Sequence, residues 1–258
     1  MEKYTVVTGA SSGIGLSIAK MFAKRSKNLI IIARREERLE QLRNEVLENN
    51  TQMKVVIKKC DLSDIQQVYQ LYEDLKCYEI ETWINNAGFG HSKKILDQDL
   101  NRVSQMIRLN LEAVTILSTL YAKDYQDKDA TLINVSSTVG YGVSSRVPAY
   151  SATKFYVSAF TEALYWEMKN DNKKLRVKVL APAATSSEFG MVSAGLSKPI
   201  DNVYFEGNTT TEMAEFLGEL YDSDKCLGYI ETDDYTFHLS NPRIPHSFTK
   251  QTNPNLLK

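Results

Sequence analysis

Short apolar runs recur along the chain at Tyr4–Val7, Leu29–Ala33, Val55–Ile57, Thr82–Ile84, Leu132–Val135 and Val177–Ala181. Each is too short for a buried helix and most are rich in β-branched residues, so each predicts a strand covered on both faces. Longer amphipathic stretches fill the gaps at Ile14–Lys24, Glu36–Leu47, Ile65–Leu75, Leu100–Ala122 and Ala149–Met168. In the second of these, Leu39, Leu42, Val46 and Leu47 form one apolar face at helical spacing. Strand and helix alternating in this way predict an α/β fold, a doubly wound parallel sheet with right-handed crossovers and helices on both sides.

The pattern loosens after Ala181. Residues 183–208 carry Gly190, Gly195 and Pro199 without a period, which predicts a long mobile loop holding a short helix, placed as a lid over a substrate. A helix at Thr210–Leu220 follows, then a last strand and hairpin arm at Leu227–Thr232 and Tyr235–Leu239. The tail from Asn241, with Pro242, Pro245 and Pro254, reads as irregular. No Pro/Gly/Ser-rich linker and no repeat divides the chain before Ala181, so its 258 residues are expected to form a single domain.

Composition mainly excludes. A net charge of -1 without long runs of one sign argues against a nucleic-acid surface. Cys60, Cys77 and Cys226 are odd in number and lack paired spacing, which argues against a disulfide framework or zinc site and fits a reducing cytoplasm. No apolar stretch is long enough to cross a membrane, and no charged-then-apolar leader precedes Tyr4, so a cytoplasmic protein is expected.

The first apolar run ends in T-G-A-S-S-G-I-G, Thr8 to Gly15. Three glycines where a strand turns into a helix permit positive φ, close approach of a pyrophosphate, and tight packing of helix on sheet. The free N–H groups at the start of that helix then face the phosphates, with the positive end of its dipole behind them. A dinucleotide site expects an acid on the ribose roughly 20 residues on, at the end of the second strand. Ala33, Arg34 and Arg35 stand there instead, and guanidinium favours a 2′-phosphate, so NADP(H) is expected over NAD(H). The competing reading has both arginines as solvated charges paired with Glu36 and Glu37. No basic residue lies within the turn itself, where Ser11 and Ser12 stand.

Tyr150 and Lys154, in Y-S-A-T-K, fall on one face of the last long helix. An ammonium roughly 5 Å from a phenol favours phenolate by about 3 kcal/mol at an effective dielectric near 20, making Tyr150 a usable acid or base. N-V-S-S, Asn134 to Ser137, and I-N-N-A-G, Ile84 to Gly88, both end predicted strands at the carboxyl edge of the sheet, where open α/β proteins bind ligands.

With these motifs together the chain resembles the short-chain dehydrogenase/reductases, in their single-domain Rossmann-type branch, from about Lys3 to Phe189. The combination carries the likeness: T-G-A-S-S-G-I-G, C-D-L-S-D, N-N-A-G, a mid-helix asparagine, and Ser with Tyr-x-x-x-Lys. The resemblance selects Ser137 over Ser136, because the serine lies thirteen positions before the tyrosine, and it adds Asn110 as a fourth catalytic residue. It implies hydride transfer between a substrate carbon and the nicotinamide, with Tyr150 moving the proton and Ser137 bonding the same oxygen. Lys154 would lower the tyrosine pKa and hold the nicotinamide ribose, and Asn110 would fix a water for proton exchange. Cofactor contacts are implied at Gly9, Ser11, Ser12, Gly13, Ile14, Gly15, Arg34, Arg35, Asp61, Leu62, Asn86, Ala87, Gly88, Tyr150, Lys154, Pro182, Ala183, Thr185 and Ser187. Asp61 would meet the adenine amino group with Leu62 beside it; the alternative role for Asp61 is helix capping, which Ser63 or Asp64 could equally supply.

There are departures from the family pattern. Pro182 is followed by Ala183 where glycine is usual, a place Ala183 can fill if its φ is negative, and Ser187 stands for a threonine near the carboxamide. The usual D-G-G ending is replaced by L-G-Y-I-E-T-D-D-Y, which leaves the C-terminal segment without a role. His91 is open between a substrate contact and an ordinary loop histidine, and no spacing suggests a metal. The reading is an NADP-dependent enzyme acting on a small carbonyl or alcohol, with a 3-hydroxy acid, ketone, sugar or steroid-like substrate all open. A homodimer or homotetramer through the helices at Leu100–Ala122 and Ala149–Met168 is implied. The rivals are a non-catalytic NADP(H) sensor and an epimerase or dehydratase using the same Tyr/Lys pair.

Overall fold

The computed structural model describes residues 2–195 and 207–246. In chain order the elements are β1 (Lys3–Thr8), α1 (Gly13–Lys24), β2 (Asn28–Ala33), α2 (Glu36–Asn49), β3 (Val55–Lys59), α3 (Ile65–Leu75) and β4 (Glu79–Asn85). Then follow α4 (Leu100–Ile107), α5 (Val114–Tyr125), β5 (Thr131–Val135), α6 (Pro148–Asn170), β6 (Arg176–Ala181), β7 (Thr185–Ser186) and α7 (Glu188–Ala194). The described chain ends with β8 (Asn208–Thr209), α8 (Thr210–Asp222), β9 (Leu227–Ile230) and β10 (Phe237–Ser240).

Eight strands form one sheet in the order β10-β9-β6-β5-β4-β1-β2-β3. Every pair is parallel except β9 with β10. The expected doubly wound α/β architecture is therefore the observed one. Alternate residues of each central strand feed opposite faces. Val6, Ile30, Ile32 and Trp83 pack with α3, α5 and α6 through Tyr72, Leu117, Tyr121 and Leu164. Val7, Ile31 and Ile84 pack with α1, α2 and α8 through Ile18, Phe22, Leu39, Leu42 and Leu217.

Three expectations need correction. Strand β3 is only half-buried, because it closes the sheet at one edge, and it ends in Lys58 and Lys59. Leu100–Ala122 is not one regular helix: α4 passes into α5 through a π-helical turn at Arg108–Ala113, whose widened backbone seats Asn110. The 183–208 segment does carry a short helix, α7, but β7 and β8 also pair in parallel across it. Residues 196–206 and 247–258, and with them Pro199 and Pro254, lie outside the described residues.

The helix ends follow local chemistry. Asp64 and Asp99 cap α3 and α4 by accepting backbone N–H bonds, Thr209 and Glu212 form a capping box on α8, and Pro148 opens α6. A buried acid helps to tie down the described end of the chain. Glu162 of α6 accepts bonds from the Tyr141 hydroxyl at 2.7 Å and from the backbone N–H groups of Arg243 at 3.2 Å and Ile244 at 2.7 Å. Replacing Glu162 with alanine leaves a buried phenol and two amides without their acceptor. Stability should fall by about 2–3 kcal/mol in urea denaturation, and a loss below about 0.5 kcal/mol would show that the clamp does not hold the tail.

Candidate active site

The glycines of the turn after β1 divide their work. Gly9 and Gly13 sit at φ +69° and +57°, in the left-handed region where a side chain is strained. Gly15 matters for space: a Cβ there would collide with Asn86 Nδ2 and with the Gly9 carbonyl oxygen. Ser12 is the N-cap of α1, yet its hydroxyl does not cap the first-turn amides. Those amides, with the helix dipole behind them, point into a crevice of about 590 Å³ at the carboxyl edge of the sheet. The crevice lies where β1 and β4 adjoin and the winding reverses.

Thr8 fixes that junction. Its hydroxyl accepts the N–H groups of Asn86 at 2.9 Å and Ala87 at 3.0 Å, and Asn86 Nδ2 donates to the Thr8 carbonyl at 2.9 Å. Arg35 leans onto the glycine turn, its Nη2 bonding Ser12 Oγ at 2.6 Å and Ser11 Oγ at 3.2 Å. This brings a guanidinium to the turn although the turn itself holds no basic residue. Neither Arg34 nor Arg35 pairs with Glu36 or Glu37. Arg34 stands 3.9 Å from Asp61, and Arg35 and Arg38 both bond Glu188 of α7. Asp61 does not cap α3, a task Asp64 performs; it accepts from the N–H and hydroxyl of Ser63 and lines the crevice beside Leu62.

At the other end of the crevice four side chains from three segments come together. Ser137 follows β5, lines the crevice with Tyr150, and donates to the Pro182 carbonyl at 3.3 Å. Ser136 points instead into the protein, onto the Lys154 carbonyl and Ser158. Lys154 is buried, and its Nζ donates to the Val135 carbonyl at 2.9 Å and sits 5.7 Å from the Tyr150 ring centre. Asn110 Nδ2 donates to the Phe89 carbonyl at 3.0 Å and to Thr153 Oγ1 at 3.1 Å, and its Oδ1 accepts the Phe89 N–H. Gly88 leaves room between them: a Cβ there would lie 3.1 Å from Asn110 Oδ1 and 3.7 Å from Lys154 Nζ.

The electrostatics correct one expectation. The phenol of Tyr150 is pushed well above its ordinary value by burial, opposed only by the Ser137 side chain, while burial lowers Lys154 to about 8. Charge attraction alone predicts a lowered tyrosine. In the enclosed site desolvation of both charged forms outweighs that attraction. Tyr150 is thus neutral near pH 7, beside a lysine whose pKa burial has lowered.

Pro182 and Ala183 line the crevice, and Ala183 does not take positive φ, so alanine fits where glycine is usual. Thr185 bonds the Ala183 carbonyl. Ser187 caps α7 by accepting the Phe189 N–H at 3.3 Å, and its Cβ would lie 3.5 Å from a Cβ on Gly13. His91 is buried, accepts the Asp99 N–H through Nε2 and does not line the crevice. His238 bonds Thr236 and stacks on Tyr229, and His246 stacks on Trp166. Among the described residues no cluster of His, Cys, Asp or Glu could hold a metal, and no helix is long and apolar enough to cross a membrane. Sequence reasoning missed Thr8, Arg38, Phe89, Leu109, Val139 and Val192. It also missed the part of Phe189, whose ring lies 5.5 Å from that of Tyr150.

Residues 3–194 match the family model for short chain dehydrogenase, and the chain belongs to that family of oxidoreductases. It is 32% identical to an NADP-dependent 3-hydroxy acid dehydrogenase of Schizosaccharomyces pombe, over 96% of this chain and 97% of the relative. It is 28% identical to dehydrogenase/reductase SDR family member 11 of Gallus gallus, over 73% of this chain and 78% of that one. Among solved structures it is similar to a short-chain dehydrogenase from Sphingobium yanoikuyae in complex with NADPH. That comparison has a TM-score of 0.78 and 25% identity, covering 89% of this chain and 87% of the other.

The lowered Lys154 has a thermodynamic consequence. Between pH 8 and 10.5 the folded chain binds fewer protons at this lysine than the unfolded chain, so its contribution to stability rises with pH through that window. Chemical denaturation at pH 7.5 and 9.5 should show wild type gaining about 2 kcal/mol relative to Lys154→Met between the two. Parallel pH profiles for the two proteins would refute the shift.

Proposed function

We propose that the chain is an NADP(H)-dependent oxidoreductase that interconverts a carbonyl and a secondary alcohol by hydride transfer. The observation that carries this reading is the convergence of Asn110, Ser137, Tyr150 and Lys154 at one end of a crevice whose other end holds the glycine turn and arginines. When bound, the nicotinamide supplies or accepts the hydride. The residues present fit such a cofactor: a strained turn, free first-turn amides, and guanidinium groups beside them.

Tyr150 donates its phenolic proton to the carbonyl oxygen as charge develops there, or takes it back in the reverse direction. Ser137, which lines the crevice with the phenol, holds the same oxygen in line. Lys154 returns a proton toward Tyr150, and Asn110 orders the backbone of Phe89 and the water path beside the lysine. For the cofactor, Gly9, Ser11, Ser12, Gly13, Ile14 and Gly15 take the pyrophosphate side, and Arg34 and Arg35 the 2′-phosphate. Asp61, Leu62, Asn86, Ala87 and Gly88 take the adenosine side, and Pro182, Ala183, Thr185 and Ser187 the nicotinamide side. In the substrate loop assigned to this single domain, the described residues 183–195 include α7, which carries Phe189 to Tyr150. Phe89, Leu109, Val139, Phe189 and Val192 line the crevice and favour a substrate with an apolar body. The similar yeast dehydrogenase makes 3-hydroxy acids the first class to test.

The remaining features support a cytoplasmic homo-oligomer. Its three free thiols suit a reducing compartment. Tyr156 and Phe160 stack at 5.9 Å on α6, with Tyr156 38% exposed, which supports self-association through α5 and α6. Light scattering after size exclusion should give a dimer or tetramer; a monomer at micromolar concentration would refute that part.

The direct test is the initial rate of NADPH and NADH consumption over ketones, aldehydes and 3-oxo acids. Turnover should favour NADPH. Tyr150→Phe should lose at least about 10³-fold in kcat while binding NADPH as wild type does. Retained turnover in that variant would sink the mechanism. NADPH binding without turnover of any panel member would favour the sensor.

A further inference from the structure

Three arginines crowd the corner between β2 and α2, and they are not equivalent. Arg34 is 71% exposed and, among the described residues, pairs with Asp61 at 3.9 Å. Arg35 Nη1 bonds Glu188 Oε2 at 2.9 Å, while its Nε and Nη2 rest on the hydroxyls of Ser11 and Ser12. Arg38 Nη1 bonds the other oxygen, Glu188 Oε1, at 2.6 Å. One carboxylate therefore engages two guanidinium groups at once, and both hold its pKa below the usual carboxylate value. This carboxylate comes from the opposite wall of the crevice, 153 residues further along the chain than Arg35. It is the first residue of α7, and Phe189, the next residue, packs on Tyr150.

A carboxylate and a phosphate use the same guanidinium donors. We propose that Glu188 is a specificity-determining residue: it occupies Nη1 of both Arg35 and Arg38, so that a 2′-phosphate competes with it for those donors. The inference rests on the NADP(H) reading above. It adds Arg38, which that reading does not use, to the residues that take the 2′-phosphate once Glu188 has left. A nucleotide without the 2′-phosphate leaves the tie closed. Glu188 thus reduces the discrimination that the arginines alone would give. Its release also frees the first turn of α7, which connects nucleotide recognition at one end of the crevice to Phe189 at the other.

The experiment is calorimetric titration of the full chain with adenosine 2′,5′-bisphosphate and with adenosine 5′-monophosphate, for wild type and Glu188→Gln. All three side chains are partly exposed, so the gain is moderate: the bisphosphate should bind the variant roughly threefold to tenfold more tightly. The monophosphate should change less than about twofold. Unchanged bisphosphate affinity would overturn the proposal, because the carboxylate would then not compete. Weaker binding of both nucleotides would also overturn it, marking Glu188 as a clasp over the bound nucleotide. Arg35→Gln separates the two levels. If that variant, and Arg34→Gln beside it, still prefer the bisphosphate as wild type does, the 2′-phosphate assignment itself fails, whatever Glu188 does.

Discussion

The contact on which the site depends is the joining of β1 to β4 by Thr8 and Asn86. Two adjacent N–H groups share the Thr8 hydroxyl, and the Asn86 amide returns a bond to the Thr8 carbonyl. Parallel strands wound in opposite directions diverge at this edge, and their last backbone groups would otherwise lack partners. Pairing them internally holds the crevice open at a fixed width. It also explains Gly15 in steric terms, since Asn86 occupies the space that a side chain there would need.

Burial then gives the catalytic end its character. A second polar network, Asn85 with Ser118 and Asn134 with Thr161, crosses the core between β4, β5, α5 and α6 with its groups paired. It holds β5 and α6 together just below the point where Ser137, Tyr150 and Lys154 emerge. Because that point is enclosed, the charged forms of both Tyr150 and Lys154 are disfavoured. A neutral phenol is the form that can give a proton to a carbonyl oxygen. The π-helical turn at Arg108–Ala113 serves the same region, placing Asn110 against Phe89 and Thr153 in the middle of a helical path.

The two ends of the crevice communicate through α7. Ser187 caps this short helix near Gly13, Glu188 engages the arginines, and Phe189 faces Tyr150, so three successive residues touch three functional regions. The glycine turn and Tyr150 are therefore linked through one short helix, although their residues are distant in sequence. The C-terminal segment is held separately, by Glu162 on the helix that also carries Tyr150 and Lys154.

The sequence by itself determined the sheet, its winding and the family to which the chain belongs. Those features reside in local patterns: short continuous apolar runs, glycines within one turn, and Tyr150 and Lys154 one helical turn apart. It also separated Asp64 from Asp61 only as alternatives, because capping depends on which carboxylate reaches the first amides. Tertiary structure decided what required distant segments to meet. Arg38 and Glu188 are 150 residues apart, and neither carries a local signature of the other. The rise in the Tyr150 pKa came from burial, which spacing along a helix does not report. His91 was drawn into the interior by its bond to Asp99, away from the crevice that its motif suggested. Local spacing fixes which groups can share a face; packing fixes which solvent, charge and partner each of them meets.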